Sequence, residues 1–115
     1  MITIYHNPSC SKSREGLAFL EQSGQKFQTV LYLDTPPTIE ELDELIKKIG
    51  VSPIDIVRTN EPVWKENYKG KKLTDKQIIE VMVLHPRLIE RPIVANNNKA
   101  VIGRPLENIK AIIEE

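Results

Sequence analysis

The residue best suited to do chemistry in this chain is its single cysteine, Cys10, which stands in the run His6-Asn7-Pro8-Ser9-Cys10-Ser11-Lys12-Ser13-Arg14. Asn7-Pro8-Ser9 is turn-forming, and a helical pattern opens at about Ser11. A cysteine at that junction meets the free N–H groups and the positive end of the helix dipole. Both favour an anion, whether a thiolate or a bound oxyanion. Lys12 and Arg14 add nearby positive charge, expected to lower the thiol pKa further. A lone cysteine is more often buried and inert, but polar neighbours and a loop position after a strand favour a reactive thiolate.

Spacing narrows what that thiolate can do. A phosphatase-type loop needs five residues between cysteine and arginine, whereas three separate Cys10 from Arg14. A dithiol oxidoreductase needs Cys-x-x-Cys, and the fourth position here is Ser13. No Gly-x-x-x-x-Gly-Lys phosphate loop occurs. Any redox chemistry at Cys10 must therefore take its second thiol from another molecule.

Arginine placement is the second signal. Of five arginines against eleven lysines, Arg58, Arg91 and Arg104 each stand at a segment boundary, the last two directly before Pro92 and Pro105. A guanidinium offers planar forked donors that match a tetrahedral oxyanion better than an ammonium does. Any one of them could equally be a surface salt-bridge residue, and only a fold can bring the three together. His6 could act as a base, but it reads first as a loop residue hydrogen-bonded to the backbone. His85, before Pro86, reads as a helix C-terminal residue. The run Lys65 to Lys76 is interrupted by acids and reads as a solvated face. The aromatics are scattered and offer no stacking platform for single-stranded nucleic acid.

The elements that must position these groups follow from pattern. Ile2 to Tyr5 is a strand, and a helix then runs from about Ser11 to Gly24 with Leu17, Ala18, Phe19 and Leu20 on its buried side. Phe27 to Leu33 is a second strand, parallel to the first across the helical crossover. After Thr35-Pro36-Pro37 the pattern is helical: Thr38 with Glu41 forms a capping box, Ser52-Pro53 starts a short helix, and Thr74 with Gln77 forms a second box. His85-Pro86 ends that helix, and Arg87 to Glu90 is one more helical turn. Ile93-Val94-Ala95 and Ala100-Val101-Ile102 form a hairpin about Asn96-Asn97-Asn98-Lys99. Pro105 opens a terminal helix buried through Leu106, Ile109, Ile112 and Ile113. The class is α/β, ordered βαβ, helices, ββα.

Composition bounds the rest. The chain has 115 residues, 40% apolar and 28% charged, which fits one folded domain over 1–115. Sixteen basic and sixteen acidic residues cancel, which argues against a generally basic nucleic-acid binder or a polybasic membrane protein. No apolar run is long enough to span a membrane and no leader pattern opens the chain, so a cytoplasmic location is expected, with no membrane and no nucleic-acid partner.

The Ile2 to Arg14 segment resembles the active-site opening of the glutaredoxin-dependent arsenate reductases, the ArsC family, relatives of Spx. Tyr32-Leu33-Asp34-Thr35-Pro36-Pro37-Thr38, Val57-Arg58-Thr59-Asn60-Glu61-Pro62, His85-Pro86, Glu90-Arg91-Pro92-Ile93-Val94 and Gly103-Arg104-Pro105 match its later signatures in order. The resemblance spans essentially the whole chain and places it among the short members. It implies a thioredoxin-like fold with a mixed four-stranded sheet and a helical insertion over about 38–90. It implies Cys10 as nucleophile, Arg58, Arg91 and Arg104 as oxyanion ligands, and Pro92 as a cis-proline beside the cysteine. His6, Ser11, Lys12, Ser13 and Arg14 would support the thiolate. No metal or tightly bound cofactor is implied. The expected partners are arsenate, glutathione as co-substrate and glutaredoxin, acting on a monomer. Two other readings share this fold: a glutathione-dependent mixed-disulfide reductase, and an Spx-like regulator binding RNA polymerase, which usually carries the Cys-x-x-Cys that Ser13 removes.

Overall fold

The computed structural model describes residues 1–114. Four strands, β1 (Ile2–Tyr5), β2 (Phe27–Val30), β3 (Ile93–Asn96) and β4 (Lys99–Ile102), form one sheet in the order β2-β1-β3-β4. β1 and β2 run parallel, joined by α1 (Ser11–Ser23), while β3 is antiparallel to both β1 and β4. The long excursion between β2 and β3 carries α2 (Ile39–Ile49), α3 (Pro62–Asn67) and α4 (Asp75–Leu84), with short 3-10 turns at Pro53–Ile56 and Pro86–Leu88. α5 (Glu107–Ile113) follows β4. This mixed sheet with its helical insertion is the thioredoxin-like arrangement that the family resemblance implies.

Period-two alternation splits the core between the two sheet faces. Ile2, Ile4 and Val94 point to the face covered by α1 and α5, where they meet Leu20, Ile109 and Ile112. Ile93, Ala95 and Ala100 point the other way, to Leu42, Leu45, Met82 and the rest of the insertion. Each fully buried Leu or Ile removed from water contributes roughly 1.5–3 kcal/mol, so neither layer is dispensable.

Local signals place most boundaries. Thr38 Oγ1 accepts from the Glu41 N–H and Glu41 Oε1 accepts from the Thr38 N–H, and Thr74 with Gln77 repeats the pattern at α4. Asn97 adopts φ 56° in the tight turn between β3 and β4, a geometry that asparagine tolerates.

Several expectations are corrected. β2 ends at Val30, not Leu33, because the chain folds into a turn in which the Asp34 and Thr35 N–H groups both donate to the Leu31 carbonyl. The buried stripe of α1 is Ser13, Gly16 and Leu20; Ala18 is exposed, and Leu17 and Phe19 are only partly covered. The spacing is helical, but small and polar residues occupy it, so an apolar pattern points to the wrong face. α3 falls where the sequence reads only as a solvated face: Lys65 is exposed, but Trp64 is buried and its ring lies 5.6 Å from that of Tyr68, whose hydroxyl meets His85 Nε2 at 3.2 Å. Pro105 stands two residues before α5 rather than in its first turn.

The Pro92 ring has less than 2% exposure and lies between α1 and the segment after β4. A Cβ on Gly16 would come within 2.9 Å of Pro92 Cγ, and one on Gly103 within 2.9 Å of both Pro92 Cγ and Ile109 Cδ1. Gly103→Ala is therefore expected to destabilise the fold by about 1–3 kcal/mol, the usual cost of overpacking. Urea unfolding of the variant beside the parent measures it, and an unchanged midpoint would show that Pro92 and Ile109 give way freely.

Candidate active site

The sheet register brings the sequence-predicted residues to one edge. Tyr5 pairs with Val30 and with Ile93, and Ile93 pairs with Ile102. The segments leaving β1, β2 and β4, and the one entering β3, all project from that row. Cys10 lies beyond β1, Tyr32 beyond β2, Arg91 and Pro92 just before β3, and Arg104 just after β4. Arg58 arrives from the insertion, because Val57 bridges Ile89 and the Arg58 N–H donates to the Leu88 carbonyl at 2.7 Å.

Cys10 is the N-cap of α1, with extended backbone at φ −100° and ψ 123°. Its N–H donates to the Asn7 carbonyl and its carbonyl accepts from the Arg14 N–H. The thiol is half-buried, and Arg104 Nη2 donates to Sγ at 3.3 Å. Burial alone would push the Cys10 thiol up, but the Ser13 N–H, the Arg91 guanidinium and the Lys12 N–H outweigh it, and the thiol lies below its ordinary value.

Ser13 organises the loop. Its hydroxyl accepts the Asn7 N–H at 2.9 Å and meets His6 Nδ1 at 2.7 Å, and Asn7 Oδ1 accepts the Ser9 N–H. The Ser13 hydroxyl and His6 Nδ1 share one hydrogen bond, whose direction follows the ring tautomer. Burial holds the His6 pKa below its ordinary value, in keeping with a neutral ring. His6 bonds the Ser13 side chain in addition to the backbone, its main-chain N–H donating to the Val30 carbonyl at 2.9 Å. The side chains of Lys12 and Arg14 are not directed at the sulfur: Lys12 pairs with Glu15 at 3.6 Å, and Arg14 Nη1 donates to the Pro8 carbonyl at 2.8 Å. Lys12 acts on the thiol through its backbone N–H instead. Ser11 is exposed and begins the helix.

Two of the three arginines interlock directly, and Arg58 joins them through Glu90. Arg104 Nε donates to the Arg91 carbonyl at 2.9 Å, and Arg91 Nη1 donates to the Arg87 carbonyl at 3.0 Å. Arg91 is buried, whereas Arg58 and Arg104 are partly open. The Arg91–Pro92 peptide bond is cis, and so is Arg104–Pro105.

Two residues escape a reading by residue type. Glu90 places one carboxylate oxygen among the arginines, accepting from Arg58 Nη1 and from the Arg91 N–H, each at 3.1 Å. Tyr32 looked like strand core, but it lies past the strand end with its hydroxyl buried. Burial, helped by the Cys10 and Glu90 charges and opposed by Arg91 and Arg58, leaves its pKa pushed up to about 12. That hydroxyl, Arg58 Nε and Arg91 Nε are buried without a partner among the described residues. Buried donors are nearly always satisfied, so three at one site mark where an acceptor-rich anion would fit. In the sequence Tyr32 carries two signals, its place at the end of a parallel strand and its position at the head of the Tyr32-Leu33-Asp34-Thr35-Pro36-Pro37-Thr38 motif.

Because backbone N–H groups and two guanidinium groups act on Sγ, the alkylation rate of Cys10 by iodoacetamide should inflect below the ~8.5 of a free thiol. Arg104→Ala should move that inflection upward. A parent inflection at or above the free-thiol value would remove the case for an activated sulfur.

The ArsC family model matches residues 5–112 of the chain. An arsenate reductase of Neisseria meningitidis serogroup A is 43% identical over 114 residues, covering 97% of each chain. An arsenate reductase of Escherichia coli is 40% identical over 115 residues, covering 99% of this chain and 82% of its own. The solved structure of an arsenate reductase from Vibrio cholerae superposes with a TM-score of 0.91 at 44% identity, covering 96% of both chains. With the fold, the thiol at the helix start and the interlocked arginines all in register, the chain belongs to the ArsC family.

Proposed function

We propose that this chain is an arsenate reductase that works through a Cys10 thiolate–arsenic adduct, with glutathione as co-substrate and glutaredoxin as electron donor. The observation that carries the reading is the meeting of a thiol of lowered pKa with three guanidinium groups and buried, unpartnered donors. Relatives named arsenate reductase at about 40–43% identity give it a substrate.

In this reading the Cys10 thiolate attacks As(V), an As–S bond forms, and one arsenate oxygen leaves as water once protonated. Arg58, Arg91 and Arg104 hold the remaining oxygens and offset the charge that develops on them. Glutathione displaces a second oxygen as water, so that arsenic carries two sulfurs. A glutaredoxin thiolate then attacks the glutathione sulfur. The As–S bond to glutathione breaks and its electron pair stays on arsenic, which becomes As(III). Water releases arsenite and Cys10 is restored. Per turnover, two thiols become one glutaredoxin–glutathione disulfide, one arsenate becomes arsenite, and one water is released in net. With a single cysteine in the chain, the second and third sulfurs come from outside. His6 and Ser13 hold the loop, Lys12 and Ser13 present backbone N–H groups, Arg14 ties the turn at Pro8, and Pro92 seats Arg91.

A coupled assay with NADPH, glutathione reductase, glutathione and glutaredoxin tests this reading. NADPH consumption should require both arsenate and Cys10. Consumption with a mixed disulfide and none with arsenate would overturn it in favour of a thiol reductase. If the arginines act through forked geometry, Arg91→Lys keeps the charge but loses a charge-assisted hydrogen bond worth roughly 1.5–3 kcal/mol. Arsenate turnover should then fall about ten- to a hundred-fold. Arg87→Lys, an exposed residue that meets Arg91 through its carbonyl, should change little. Equal, near-parent rates in the two variants would remove the clamp.

A further inference from the structure

Glu90 stands directly before Arg91, and a single oxygen of its carboxylate, Oε1, accepts from two of the arginines and lies within ion-pair distance of the third. Arg58 Nη1 and the Arg91 backbone N–H each donate to it at 3.1 Å, and Arg104 Nη2 lies 3.8 Å away. Arg104 Nη2 is the same nitrogen that donates to Cys10 Sγ at 3.3 Å, so one guanidinium pairs in charge with the carboxylate while it hydrogen-bonds the thiol. The carboxylate is only a quarter exposed, and the Arg58 guanidinium much the same. An anion so placed is harder for solvent and salt to screen than a surface pair.

Two consequences follow from Coulomb's law alone. The three guanidinium groups bring three positive charges; a Cys10 thiolate and Glu90 remove two of them before any substrate arrives. The site is therefore balanced for about one further negative charge, not two. The inner oxygen of Glu90 takes Arg58 Nη1 and the Arg91 N–H, which leaves Arg58 Nε, Arg91 Nε and the Tyr32 hydroxyl to an incoming oxyanion. A tetrahedral dianion held there shares the arginine charge with the carboxylate and bears its repulsion.

We propose that Glu90 is a specificity-determining residue that weakens the site for dianionic tetrahedral oxyanions and biases it toward ligands carrying a single negative charge. The proposal rests on the oxyanion-site reading above and deepens it: the resident carboxylate sets the charge class of substrate that the arginines accept. It acts through charge, without touching the reacting atoms. Glu90→Gln keeps the shape and a carbonyl acceptor for Arg58 while removing the charge.

The test uses two unreactive ligands at one pH, sulfate as a dianion and methanesulfonate as a monoanion with a related head group. Each is titrated for protection of Cys10 against iodoacetamide, in the parent and in Glu90→Gln. The anion-free alkylation rate of each protein serves as its own baseline, and thermal melts establish folding. The carboxylate lies about 3–4 Å from two guanidinium groups at a partly screened site. Its removal should tighten sulfate roughly tenfold, and methanesulfonate by clearly less. Glu90→Ala, which removes the acceptor as well, should show the same preference for the dianion. Equal or weaker sulfate protection in folded Glu90→Gln would overturn the proposal and leave Glu90 as a holder of Arg58, with the oxyanion site intact. Equal tightening of both ligands would overturn the charge-selection claim. Absence of protection by either anion, in the parent and both variants, would overturn the oxyanion reading itself and this inference with it.

Discussion

The ring of Pro92 lies fully buried between Gly16 of α1 and Gly103 after β4, so close that a Cβ on either glycine would stand 2.9 Å from its Cγ. That contact sets the distance between three segments carrying chemistry. α1 brings the Cys10 end of its helix against the entrance to β3, where Arg91 stands. The Gly103 N–H donates to the Pro92 carbonyl at 2.7 Å, which fastens the Arg104 segment to the same point. Interiors pack like crystals, so even one added methyl group here must move something. The two guanidinium groups nearest the sulfur belong to the residues flanking this contact, Arg91 before Pro92 and Arg104 after Gly103, and the sulfur is held through Gly16 farther along α1.

Given that frame, electrostatics decides the behaviour of the site. A guanidinium as buried as that of Arg91 is costly unless it is partnered. Its Nη1 is satisfied by the Arg87 carbonyl, and its charge falls on the thiol. Arg104 spans the arrangement, tied by Nε to the Arg91 carbonyl and reaching by Nη2 toward both Cys10 and Glu90. Positive charge is thus concentrated at the sulfur from the arginines and the helix N–H groups together. The nearest lysine side chain, by contrast, is spent on a solvent-facing pair with Glu15. Acidity at Cys10 comes from backbone geometry and distant segments more than from the basic residues that follow it in sequence.

Much of the scaffold was legible because its signals are local. The two capping boxes, the Asn97 turn and the apolar spacing of α5 each depend on residues within a few positions of one another. The misreadings have one cause in common. α1 buries Ser13 and Gly16 because Asn7 needs a hydrogen-bond acceptor and Pro92 needs room, and neither demand is written in hydrophobic periodicity. β2 was read too long because Leu31, Tyr32 and Leu33 have strand-forming side chains, whereas the backbone turns there and buries Tyr32 under the site.

What the sequence by itself determined was the chemistry on offer: one thiol at a helix start, no second thiol to relay oxidation, and three arginines at chain breaks whose surrounding motifs match the family. Only the tertiary structure decided which of these groups act together. Residues 10, 32, 58, 90–91 and 104 are spread along the chain, and they meet because parallel β1 and β2 and the antiparallel β3–β4 hairpin put their loops on one edge of a single sheet, to which the Val57–Ile89 bridge brings Arg58. The register of that sheet is a long-range property, set by which face of each strand is buried. Residue types near Cys10 could therefore not show that Lys12 and Arg14 turn away from it, or that a glutamate stands among the arginines.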